Sequence, residues 1–399
     1  MKRHTLKVVM ASVVALAGAT LSACGGGGTQ VQDTGVTNVA GWAFATPSNF
    51  PLPRDSADNP TTAAKVELGR FLFYDPRLSG NGRQSCSSCH QQDKAFTDGR
   101  PTAIGSTGQS HPRNSQSLVN VVYNATLTWA NPTLVTLETQ MLTPLFGASP
   151  VEMGVNDANK AEVIGRIAAS TTPNYARLFA RAFPEQAVPL NWDSVIRAIS
   201  SFQRSLLSGN SRFDRYRDGK GTLTDAEVRG KNLFFGEQAE CFHCHGSFNF
   251  NEQVIHATSR LVETPFRNTG LYNIGGTGDF PFPNQGLYSL TNAPADMGKF
   301  RAPSLRNVGV TAPYMHDGTM ATLEEVLDFY AAGGRNITDG PHAGDGRANR
   351  NKDGLITLIN LTPQDKADLV AFLRTLTDDD LLTDPLYANP FAPAARGAN

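Results

Sequence analysis

LGRFLFYDPRLSGNGRQSCSSCH (68–90) and RGKNLFFGEQAECFHCH (229–245) are two copies of one plan. In each, a glycine (Gly69, Gly230) is followed by a base and then by a Leu-Phe pair, Leu72-Phe73 or Leu233-Phe234. After a loop of different length each copy ends in Cys-x-x-Cys-His: Cys86, Cys89 and His90, then Cys241, Cys244 and His245. In this motif two thiols add across the vinyl groups of a haem, and the adjoining histidine coordinates its iron from one face. Two copies imply two covalent haem c groups, with His90 and His245 as iron ligands. A four-cysteine zinc site usually has its pairs about 15 to 20 residues apart. These pairs begin 155 apart, and zinc needs no trailing histidine. Thiol-redox pairs would want a βαβ context that the sequence does not offer.

The segments before both motifs read as helices. The second opens with a capping box, Thr224 with Glu227, and the first starts in TTAAKVELG (61–69) and stops before Pro76. A glycine on such a helix lets another helix approach closely, and VIRAISSFQRSLL (195–207) and DLVAFLRTL (368–376) offer a partner in each half. Helix, haem motif and closing helix make the plan of a cytochrome c domain. The expected fold is therefore mainly α, with two cytochrome c-like domains, at 61–215 and 216–385, each holding one haem, and a tail over 386–399.

With 399 residues and 40% hydrophobic content the chain can bury a large core. MKRHTLK is basic and the apolar stretch after it is too short for a comfortable membrane span, so 1–23 reads as a secretory signal peptide. Losing Lys2, Arg3 and Lys7 takes the formal charge from −1 to −4, which gives no reason to expect nucleic acid as a partner. The leader ends in Leu21-Ser22-Ala23-Cys24, which resembles a bacterial lipobox; the alternative is ordinary cleavage after Ala23 with a free thiol. GGGGTQVQDTG then opens a flexible tether and N-terminal extension over 24–60. A lipid on Cys24 explains the odd fifth cysteine. The protein is expected on the periplasmic side of a Gram-negative envelope, touching membrane only through that anchor.

LGRFLFYDPRLS, HPRNSQSLVNVVYNATLTW (111–129), PVEMG (150–154), FRAPSLRNVGVTAPYMHDG (300–318) and TLEEVLDFY (322–330) resemble the bacterial di-haem cytochrome c peroxidase and MauG family over about 62 to 380. LFFGEQAECFHCHGSFNF (233–250) with FRNTGLYN (266–273) looks closest to the MauG-like branch known as MbnH, whose genes sit beside those for copper-binding partners. The resemblance implies two helical domains whose haems cooperate, the first meeting hydrogen peroxide and the second handling electrons. Typical members carry a removable distal histidine sixteen residues past the first proximal one. That position is Ser106, which implies an iron open to peroxide without prior reduction; His111 is a nearby candidate ligand or a solvated loop histidine.

By motif, Glu152 in PVEMG and Gln140 in LETQMLTP (137–144) fall where the family places its proton shuttle and hydrogen-bonding partner, with Pro144 shaping the pocket. Alone, such a glutamate reads as a surface residue. Trp129 matches the inter-haem tryptophan, and its default role as a core aromatic is compatible with conducting electrons. Asn114 matches a residue that helps bind an inter-haem calcium ion. NRNKDG (349–354) lacks acidic first and twelfth positions (Asn349, Asn360) and reads as a turn. The usual sixth ligand of the second haem lies at a position that is Gly298 here, leaving Tyr314 ahead of Met297, with structural roles for either.

The preferred expectation is an oxidoreductase that uses peroxide to form high-valent iron and oxidises a partner protein, by analogy tryptophan on a copper-binding protein. One alternative is a detoxifying cytochrome c peroxidase fed by a small cytochrome or cupredoxin, against which Ser106 weighs. The other is a non-enzymatic electron-transfer cytochrome, against which Glu152 and the open iron weigh.

Overall fold

The computed structural model describes residues 42–392. The leader, Cys24 and the glycine tether lie outside the described residues. The first half runs through helices α1 (Ala63–Tyr74), α2 (Leu137–Phe146), α3 (Lys160–Ala168), α4 (Tyr175–Ala182) and α5 (Trp192–Ser205). The second holds α6 (Arg212–Arg217), α7 (Asp225–Phe234), α8 (Phe242–His245), α9 (Tyr288–Thr291), α10 (Leu323–Ala331), α11 (Pro363–Arg374) and α12 (Asp379–Thr383). A two-residue antiparallel pair, β1 (Asn336–Ile337) and β2 (Gly344–Asp345), forms a small hairpin. No described helix is long and apolar enough to cross a membrane.

Each half is organised by one close helix crossing. The Thr62 hydroxyl caps α1 by accepting from the Lys65 amide, and the helix stops at Asp75, before Pro76. Its Gly69 lies against α5, where a Cβ would come within 2.0 Å of the Ala198 carbonyl oxygen. In the second half both capping-box bonds form between Thr224 and Glu227, and a Cβ on Gly230 would lie 1.9 Å from the Asp368 oxygen on α11. Both glycines are thus fixed by contact. Leu68, Leu72, Phe73, Ile199 and Phe202 fill the first core, and Phe234, Phe250, Leu369 and Phe372 the second. Burying each such side chain is worth roughly 1.5–3 kcal/mol.

A third apolar cluster joins Leu271, Tyr272, Phe280, Met297, Phe300, Met320 and Phe329, with Trp129, Tyr314 and Tyr330 packed on it. Trp129 comes from the first half and the rest from the second. The chain ends also cross over: Ser48 and Asn49 donate to Asp218, and Phe50 packs 4.8 Å from Phe248. Beyond α12, the Tyr74 hydroxyl donates to the Tyr387 carbonyl, and Arg70 to those of Pro385 and Leu386.

Candidate functional site

Both haem motifs end in short helical turns, and both anchor their histidine in the same way. His90 Nδ1 lies 2.7 Å from the Phe96 carbonyl, and His245 Nδ1 lies 2.8 Å from that of Phe250. A carbonyl only accepts, so Nδ1 carries the proton and Nε2 keeps its lone pair for a metal. Burial pushes the affinity of both imidazoles for a proton down, which favours the neutral form that ligates. Phe96 and Phe250 share one more feature: both are buried with positive φ, 61° and 53°, a conformation bulky residues seldom adopt. Sequence reasoning missed this pair, whose signal is a phenylalanine six or five residues beyond the motif histidine.

The four cysteines form no disulfide. Burial lifts Cys86 and Cys241 to about 12, and Cys89 and Cys244 to about 11. None would be a thiolate at neutral pH, so thiol exchange lacks its nucleophile. Near Trp129, the fully buried Arg301 guanidinium donates to the Thr128 carbonyl and to Gln116, yet its Nη1 and the Gln116 amide nitrogen have no partner. Burial pulls Arg301 down to about 10. A cation buried without a counter-charge needs an anion, and haem propionates are anions. Paired thiols, oriented imidazoles and an unpaired buried guanidinium together fit a covalently held haem.

The residues singled out for the first haem converge on one cavity, lined by His90, His111, Asn114, Trp129, Gln140 and Glu152 among others. Gln140 is carried on α2, which Thr136 caps and which the Glu138 pair with Arg204 (2.7 Å) ties to α5. Pro144 does not line the cavity and acts from the end of α2: its carbonyl accepts from the Met153 amide, and that of Leu145 from Val155. These bonds hold the loop bearing Glu152 against the end of α2. Burial raises the Glu152 carboxyl to about 7. His111 Nδ1 lies 3.9 Å from Glu152 Oε1, too long for a direct hydrogen bond. The Ser106 amide donates to the Glu152 carbonyl, so Ser106 supports this loop from behind. Trp129 donates from Nε1 to the Asn114 carbonyl (2.9 Å), while the Asn114 amide group donates to the Arg100 and Pro101 carbonyls.

Comparison with known proteins identifies this arrangement. A family model described as "Di-haem cytochrome c peroxidase" matches residues 63–222. Cytochrome-c peroxidase IdrP1 of Pseudomonas sp. (strain SCT) is 34% identical over 360 residues, spanning 86% of this chain and 88% of that protein. The chain belongs to the di-haem cytochrome c peroxidase family. Methylamine utilization protein MauG of Methylorubrum extorquens is 30% identical over 92% of this chain and 94% of its own. A solved MauG-like protein associated with microbial copper homeostasis is 57% identical with a TM-score of 0.86, covering 88% of this chain and all of that one. The resemblance read from the motifs is therefore borne out. The chain is a di-haem oxidoreductase, and family membership implies two haem c cofactors.

For the second haem of the di-haem family, the structure accounts for the missing sixth-ligand side chain. Gly298 has φ +73°, and a Cβ there would lie 2.1 Å from the Phe280 ring. Neither methionine nor tyrosine fits. Tyr314 borders the second and third clusters, its hydroxyl donating to the Val308 carbonyl at 2.9 Å, and burial raises its phenol to about 12. Met297 is buried among the aromatics of the third cluster. Tyr330, unnoticed in the sequence, packs there too. Burial drives its phenol above the usual range, and the nearby Cys241 and Cys244 thiols add to the rise.

Proposed function

We propose that this chain couples reduction of hydrogen peroxide beside His90 to oxidation of a partner protein. The observation that carries this reading is the single cavity in which His90, Glu152, Gln140 and Trp129 meet. Haem held through Cys86, Cys89 and His90 supplies the iron chemistry that breaks the O–O bond. Glu152, raised to about 7, takes a proton at its carboxylate and returns it to the departing oxygen. Gln140 orients that oxygen by hydrogen bonding, and the imidazole of His90 is fixed by Phe96. Trp129 joins the cavity to the third cluster and gives electrons from outside a way in.

The MauG-like neighbour linked to copper homeostasis supports a protein partner in copper handling. Its sequence-level counterpart, tryptophan oxidation on a copper-binding protein, is the substrate class we favour. The relatives named cytochrome-c peroxidase support a second reading, in which a small cytochrome or cupredoxin feeds the same site. Ser106 in place of a removable histidine favours the first. We further assign calcium to the Asn114 region, and lipid to Cys24 with the protein on the periplasmic face.

Visible and electron paramagnetic resonance spectroscopy test the proposal. The oxidised protein is expected to show a high-spin ferric component that one equivalent of peroxide abolishes without prior reduction. Two low-spin haems indifferent to peroxide would overturn it. In the Cys241→Ser/Cys244→Ser double variant, the pyridine haemochrome per chain should fall by half if each motif holds one haem.

A further inference from the structure

We propose that Tyr272 is the outlet at which this chain passes oxidising equivalents to its partner, in the surface hollow beside the β1–β2 hairpin. The proposal rests on the peroxide reading above and gives it a second location, remote from the first cavity. Aromatic rings run in an unbroken line between the two. Trp129 borders the cavity and meets His316 edge-on at 6.4 Å. His316 stacks on Phe300 with centroids 3.6 Å apart and rings 14° from parallel, and lies 6.4 Å from Phe280. Phe280 meets Tyr272 edge-on at 5.4 Å. Tyr272 then borders an open hollow of about 410 Å³, formed with Arg335, Asn336, Thr338, Asp339 and His342. That volume admits an inserted side chain, not a domain. The exposed His342 ring stands 5.7 Å from Tyr272 at its rim.

The chemistry of the end residue distinguishes it from the rest of the line. Phenylalanine rings are hard to oxidise and serve as bridges, whereas a phenol loses an electron readily when a base takes its proton. The Tyr272 hydroxyl donates to Asp317 Oδ2 at 2.7 Å, and Asp317 Oδ1 is held by the Thr319 amide and hydroxyl. Arg335 lies 4.5 Å over the ring, so its charge opposes loss of an electron and makes the resulting radical a strong oxidant. His316, adjoining Asp317, is buried with no partner for Nε2.

The electrons balance. Reduction of one hydrogen peroxide to two waters consumes two electrons and two protons. In each relay event Tyr272 gives one electron to oxidised Trp129 while its phenolic proton moves to Asp317. An aromatic side chain of the partner, seated in the hollow, returns one electron to the tyrosyl radical as Asp317 returns the proton. Two events serve each peroxide.

The test uses the full-length di-haem protein without partner, treated with two equivalents of hydrogen peroxide and the spin trap DMPO, then digested and mapped by mass spectrometry. An adduct on the Tyr272 peptide is expected, lost in Tyr272→Phe and diminished in Asp317→Asn, which keeps the phenol but removes its base. Suppose peroxide changes the haem bands but adducts fall elsewhere, in one pattern for all three proteins: this proposal alone is overturned. If the haem bands do not respond at all, the peroxide reading falls with it. The wild-type map and Asp317→Asn decide the matter even if Tyr272→Phe fails to fold.

Discussion

Glu152→Gln should slow the reaction with one equivalent of hydrogen peroxide by roughly a hundredfold or more, the usual weight of a positioned acid–base group. Stopped-flow absorbance at the haem bands measures it. Glutamine keeps the size of the side chain and its hydrogen-bonding capacity, so the cavity wall and the loop held by Pro144 and Leu145 stay in place. What disappears is the ability to take up a proton and give it back. Burial sets the pH dependence: with the carboxyl raised to about 7, its acid form predominates below neutrality and cannot accept the proton of peroxide. The wild-type rate should therefore climb as pH rises through about 7, and the variant's should be flat there. His111, 3.9 Å away, is the neighbouring titratable group, and burial pushes its proton affinity down, leaving it neutral across that window. An undiminished rate in Glu152→Gln would transfer the proton role to His111.

How far the sequence could be read depended on the range of the interaction. The two haem-type motifs were legible because covalent attachment chemistry demands a fixed local spacing, which survives in the string as Cys-x-x-Cys-His. Gly69 and Gly230 were legible for a related reason: a helix crossing so close that a Cβ would lie 2.0 Å or less from a neighbouring carbonyl oxygen excludes every Cβ, so only one residue type is tolerated. The caps at Thr62 and Thr224 are local bonds and were equally readable. Features made by distant segments were not. Nothing near Gly298 announces that the Phe280 ring fills its space, nor does the TLEEVLDFY stretch reveal that Tyr330 packs on the third cluster, near the second pair of thiols. Phe96 and Phe250 were hidden because their contribution is a carbonyl in an unusual backbone conformation, and the side chain that marks them points into the core. Arg301 was quoted as part of a motif, but its unpaired nitrogen is a property of its burial, visible only once the two halves are packed.

Arg306→Met is expected to cost about 3–5 kcal/mol of stability, because it strands a buried carboxylate. Arg306 is fully buried and Asp214 nearly so, with a two-pronged contact of 2.8 and 3.1 Å between them. Burial alone would raise the Asp214 carboxyl; hydrogen bonds from Arg306 and Ser211 outweigh it and hold the group below the usual carboxylate range. A carboxyl whose folded value is depressed contributes stability above its unfolded value, and that contribution is lost as pH falls through the folded one. Guanidinium denaturation of the holoprotein at neutral and acid pH should show a large loss in Arg306→Met at neutral pH that narrows in acid. The Arg306→Met/Asp214→Leu double variant should recover part of the loss, since two apolar groups leave no orphan charge. A full additive loss would mean that the pair does not act as a unit. The guanidinium also donates to the Phe248 carbonyl and lies 5.5 Å from the Phe250 ring, whose residue anchors His245. The absorption of the second haem should accordingly shift in Arg306→Met at denaturant concentrations where the first haem is still native, because the same side chain that neutralises Asp214 also steadies the loop holding the iron ligand.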